Sequence, residues 1–93
     1  MNRKTDEAIY YLRSILIPMV TFPNEVVIEP EESSFGLHLE IMPNPSDLPF
    51  LIGYKGRHAE GLKTIMSMWG KRNAASVMVH VGGRIDKIPM RSE

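Results

Sequence analysis

Leu51-Ile52-Gly53-Tyr54-Lys55-Gly56-Arg57-His58-Ala59-Glu60-Gly61-Leu62-Lys63-Thr64-Ile65 is the stretch that decides the reading of this chain. Two glycines three positions apart let a backbone reverse sharply and put no side chain between it and a ligand. Downstream, Ala59, Leu62, Ile65, Met66 and Trp69 recur at helical spacing on one face. The spacing predicts a helix that starts after Gly56 and runs to about Lys71, with Lys71-Arg72 at its negative end. Upstream, Ser46 is the expected cap of a short helix through Asp47-Leu48-Pro49-Phe50-Leu51-Ile52, which tolerates Pro49 in its first turn and stops at Gly53. The free N–H groups and positive dipole end of the second helix then face the loop, where a phosphate is the natural ligand and Lys55 and Arg57 add charge.

Before this stretch, Phe35, Leu37, Leu39 and Ile41 alternate with Gly36, His38, Glu40 and Met42. That period of two predicts a strand with one buried face, ended by Pro43-Asn44-Pro45. Glu25-Val26-Val27-Ile28 reads as an earlier strand closed by Pro30 and Glu31-Glu32-Ser33-Ser34. At the N-terminus Thr5 is expected to cap a helix carrying Asp6 and Glu7 in its first turn. Its apolar stripe is Ala8, Ile9, Leu12, Ile15 and Leu16, with Pro18 at its end and Pro23-Asn24 in the turn after it. Ser76-Val77-Met78-Val79-His80-Val81 is the last predicted strand, broken by Gly82-Gly83.

The order is helix, strand, strand, helix, helix, strand, and one three-stranded sheet backed by three helices uses every apolar face just named. The fold class is α+β. Residues 1–83 are read as one domain and 84–93, which show no periodicity, as a basic tail.

At 93 residues and 43% hydrophobic content, one small core is what the chain can bury. With no cysteine, disulfides, thiolate metal sites and cysteine nucleophiles are excluded, and a reducing cytoplasm is the expected location. Arg13, Ser14 and Pro18 interrupt the first apolar run, so neither a signal peptide nor a membrane span is expected. The formal net charge is zero, but it is unevenly divided. Residues 1–52 hold 3 Lys/Arg and 8 Asp/Glu, a net of −5; residues 53–93 hold 8 Lys/Arg and 3 Asp/Glu, a net of +5. A basic half containing the glycine loop suits an anionic partner.

The loop lacks the four-residue gap and Lys-Ser/Thr end of a nucleotide-binding Walker loop, and no dinucleotide fingerprint is present. An Ile-Gly entry, a basic second variable position, a basic exit residue, and flanking helices followed by a strand are the setting of a KH loop. On these residues, from Asp47 to Ile65 above all and over roughly 5–82 in total, the chain resembles the type II KH domains, and within them the small bacterial KhpA-like RNA-binding proteins. The resemblance implies the α-β-β-α-α-β topology, a GxxG loop on an RNA backbone, and a narrow groove for about four unpaired nucleotides. The expected RNA contacts are Ile52, Gly53, Tyr54, Lys55, Gly56, Arg57, His58 and Lys63, with His38 from the polar face of its strand; for both His38 and His58 a plain surface role stays open. The resemblance also implies pairing with a second copy or with another KH protein.

Three positions depart from the family pattern. Tyr54 stands where the loop usually has Lys, exchanging a cation for a ring able to stack on a base. Pro49 replaces a small residue, and Gly61 replaces Ala. His38, His58 and His80 are 20 and 22 residues apart, which is not local zinc spacing, so no metal or other cofactor is expected. No paired carboxylates or nucleophile-base pair suggest an enzyme or a small-molecule substrate. The function expected is binding of short single-stranded RNA, as an RNA chaperone or post-transcriptional regulator. The alternative is a protein-interaction adaptor that keeps the fold with little RNA binding.

Overall fold

Leu37, Leu39 and Ile41 are buried along one face of the central strand, β2 (Gly36–Met42). The computed structural model describes residues 3–82, so the predicted tail, 84–93, and the domain boundary at 83 lie outside the described residues. β2 pairs antiparallel with β1 (Val27–Ser33) and parallel with β3 (Val77–Val81), giving a mixed sheet in the order β1-β2-β3. Helix α1 (Arg3–Leu16) leads into a 3-10 turn, Ile17–Met19, in which Pro18 ends the helix. Between β2 and β3 come α2 (Leu48–Ile52), a tight turn at Tyr54–Gly56, and α3 (Arg57–Arg72).

The helices cover one face of the sheet. Ala8, Leu12 and Leu16 from α1, Leu51 from α2, and Leu62 and Met66 from α3 meet Leu37, Leu39, Ile41, Val77, Val79 and Val81. Each large side chain fully buried here contributes about 1.5–3 kcal/mol relative to exposure. The α+β class, element order and three-stranded sheet are those expected from the sequence.

Several local expectations are corrected. Thr5 does not cap α1; it is buried inside the first turns, and its hydroxyl donates to Glu32 Oε2 at 2.6 Å. β1 does not close at Pro30 but runs through it, because an edge strand needs no inter-strand N–H at every residue. Phe35, read with the buried face, lies in the β1–β2 turn and is 90% exposed. Glu40, read as polar and outward, is on the outward face yet buried. Ser46 is not the cap of α2: Asp47 holds that position and caps nothing with its side chain.

Asp47 instead ties α2 to the segment after α1. Its carboxylate accepts Thr21 N–H at 2.9 Å and Phe22 N–H at 3.0 Å. The Thr21 N–H above all, joined by that of Phe22, holds the carboxyl below its ordinary range against the opposing effect of burial. Arg13 makes a matching tie, its guanidinium donating twice to the Val26 carbonyl at 3.1 and 2.9 Å. The Asp47 bonds hold the start of α2, the helix that leads into the glycine loop, against the segment after α1.

Candidate nucleic-acid interface

Gly53 ends α2 with φ 77° and ψ 172°, a conformation essentially confined to glycine. Its N–H donates to Pro49 O at 2.9 Å, and its carbonyl accepts Gly56 N–H at 3.0 Å. A Cβ built on Gly53 meets the His58 ring at 2.6 Å, so the absent side chain is what lets that imidazole lie across the turn. His58 Nδ1 is 2.6 Å from Phe50 O, and the two rings are 5.1 Å apart. His58, although exposed, thus clamps the end of α2 to the start of α3.

Gly56 takes the position before α3 in a left-handed conformation, φ 76° and ψ 16°, and a Cβ there meets nothing within 4 Å. No side chain caps the helix; the Arg57 N–H turns back to the Tyr54 carbonyl, and the rest of the first turn has no side-chain acceptor at the loop. Lys55 is also left-handed, φ 55°, which costs about 1–2 kcal/mol for a residue with a Cβ. Tyr54 is 73% exposed, with Lys55 Nζ 5.5 Å and Arg57 Cζ 5.9 Å from its ring centre. The loop therefore presents an aromatic ring and two cations beside a helix dipole end that no side chain caps.

Ile52, at the end of α2, packs its side chain against the core and is half-buried. Lys63 lies about 9 Å along α3 from Arg57 at 1.5 Å per residue, and its Nζ is 3.5 Å from Glu60 Oε2. Across from it runs β3, the sheet edge. Lys63 and Ser67 from α3, Val77–His80 from β3, and His38 from β2 line a depression of about 330 Å³. The structure thus gathers 52–58 into one loop and brings Lys63 and His38 to a groove beside it. Met78, Ser67 and His80 complete the groove wall and were not among the contacts expected from the sequence. Only the parallel β2–β3 register, His38 to Met78 and Glu40 to His80, places Met78 and His80 there, while Ser67 comes from the next turn of α3 after Lys63.

A second surface lies on the outer side of the helices. Tyr11 and Ile15 of α1 with Ile65, Met68, Trp69 and Arg72 of α3 line an open apolar depression of about 520 Å³. Met68 is 63% exposed while its neighbour in sequence order two positions back, Met66, is buried. Among the described residues no group of three His, Asp or Glu side chains is placed to hold a metal ion, and no helix is long and apolar enough to cross a membrane.

Residues 10–81, from the middle of α1 to the end of β3, match the family described as KhpA/KhpB, KH domain. The RNA-binding protein KhpA of Listeria monocytogenes serovar 1/2a is 31% identical over 68 residues, covering 73% of this chain and 90% of that protein. The RNA-binding protein KhpA of Listeria innocua serovar 6a is similar to the same extent.

Proposed function

The chain belongs to the KhpA/KhpB KH-domain family, and from that premise we propose that it binds short single-stranded RNA. The loop Gly53-Tyr54-Lys55-Gly56 takes the backbone and the α3–β3 groove takes the bases. The observation that carries this reading is the start of α3 at Gly56, which has no side-chain cap, has clear space where a Cβ would stand, and is flanked by Lys55 and Arg57. A phosphate there accepts from the helix N–H groups and is paired by two cations. The groove runs between one helix and a sheet edge, and unpaired bases can splay into it where a duplex cannot. The role that fits a binding surface of this size, acting in the cytoplasm, is that of an RNA chaperone or post-transcriptional regulator rather than an enzyme.

Titration of a mixed pool of single-stranded RNA against a perfect RNA duplex gives the test. The pool is expected to bind more tightly, with log affinity falling against log salt at a slope of about −2 for some three phosphates neutralised. Equal affinity for the duplex overturns the groove reading. A folded protein that holds neither RNA is instead the adaptor.

Pairing with a second KH protein, or with itself, belongs to the same proposal and uses the apolar face of Tyr11, Ile15, Ile65, Met68 and Trp69. Met68→Glu sets a charge in the middle of that face without touching the core. The expected result in sedimentation at micromolar concentration is a dimer for the wild type and a monomer for the variant. A strictly monomeric wild type leaves only a hetero-partner, to be sought by pull-down.

A further inference from the structure

The outward face of the sheet carries a cluster that the RNA loop does not use. The register sets Glu29 of β1 opposite Glu40 of β2, and Glu40 opposite His80 of β3; one step along, Glu31 stands opposite His38. Glu40 has a side chain only 5% exposed, and its Oε2 is buried without a hydrogen-bond partner. Its Oε1 is 3.9 Å from His38 Nδ1 and its Oε2 3.7 Å from His80 Nε2. The two imidazoles, 6.5 Å apart and nearly parallel, therefore straddle one buried carboxylate. Both also line the groove faced by Lys63.

A buried carboxylate oxygen with no donor is costly, and both imidazole nitrogens stop just beyond hydrogen-bond length. Protonation of either ring supplies a charged donor at that place. We propose that His38 and His80, set by the buried Glu40 between them, make the far wall of the groove proton-linked, so that the protein takes up protons when RNA binds and holds RNA more tightly as the pH falls. This rests on the RNA-binding reading above and adds a regulation to the same groove.

The sign follows from the charges that face the two rings. Glu29 and Glu31 come from β1, Glu40 from β2, and Lys63 from α3, the last 3.5 Å from Glu60. With both imidazoles neutral, the Glu40 carboxylate behind them is uncompensated and its field disfavours a polyanion in the groove. With both protonated, two cations on the groove lining outweigh that one carboxylate. Imidazole is the side chain that changes charge between about pH 5 and pH 8. An RNA backbone alongside favours the charged rings, so by linkage binding strengthens toward the acid end. Glu40 is a positioning residue, setting both rings and compensating their charge.

The experiment measures anisotropy of a fluorescein-labelled oligonucleotide of about ten uridines and guanosines, bases that do not titrate here, from about pH 5.5 to pH 8 at fixed ionic strength. The wild type is expected to gain at least about fivefold in affinity across that range. H38Q/H80Q should stay within about twofold. Glu40→Gln, an isostere, should flatten the profile and tighten binding at the alkaline end, a gain that simple damage to the fold does not produce. Where H38Q/H80Q does not fold, NMR titration of wild-type His38 and His80 replaces it, with RNA expected to raise their titration midpoints. A folded H38Q/H80Q with the wild-type slope, or midpoints unmoved by RNA, overturns the proposal. A wild type that binds RNA equally at all pH values overturns it while leaving RNA binding standing. Absence of binding at every pH removes both.

Discussion

Replacing Tyr54 and Lys55 together by Asp lowers RNA affinity by more than about tenfold, equivalent to roughly 1.4 kcal/mol or more, with the fold intact. Both side chains are exposed, and neither contributes to the core. Lys55 occupies the left-handed region, which Asp tolerates better than most residues, so the turn is not strained further. The change removes one cation and places two anions beside the start of α3, where the dipole of a helix without a side-chain cap otherwise attracts a phosphate. Circular dichroism reads the fold and anisotropy reads the RNA. A folded double variant with undiminished binding takes the loop out of the site.

Gly53→Ala is expected to destabilise the protein by about 2 kcal/mol or more, whereas Gly56→Ala costs about 1 kcal/mol. The two glycines look alike in sequence but serve different ends. At Gly53 a methyl group meets an unfavourable backbone conformation and the His58 ring at 2.6 Å, so the Phe50–His58 clamp must open. At Gly56 only the left-handed conformation is unfavourable, since nothing lies within 4 Å. Urea denaturation separates the two losses. RNA binding should fall in both, in Gly53→Ala through a displaced loop and in Gly56→Ala through a methyl group at the phosphate. Equal stability losses would count against the clamp.

The elements of the fold were legible in the sequence because their signals are local. Alternation from Leu37 to Ile41, the stripe from Ala8 to Leu16, and the spacing of Ala59, Leu62 and Met66 each state which face must leave water. The glycine loop was legible for a similar reason: Gly53 and Gly56 are the residues such backbone conformations require. Segment ends were less legible. Thr5 and Ser46 have the chemistry of helix caps, but Thr5 found Glu32, 27 residues away, and Asp47 spent its carboxylate on Thr21 and Phe22. Pro30 reads as a strand end unless the strand is known to lie at the sheet edge.

By itself, then, the sequence determined the α+β element order, the buried faces and the loop, since each follows from spacing within a dozen or so residues. Tertiary structure alone decided that His58 clamps α2 to α3, that Glu40 is buried, and that His38, His80, Met78 and Lys63 share one groove. Those relations depend on the parallel pairing of β2 with β3, whose residues lie 40 apart, Leu37 with Val77 to Ile41 with Val81. Such pairing needs a crossover through two helices, and no periodicity within a strand records which partner, or which register, the crossover will deliver.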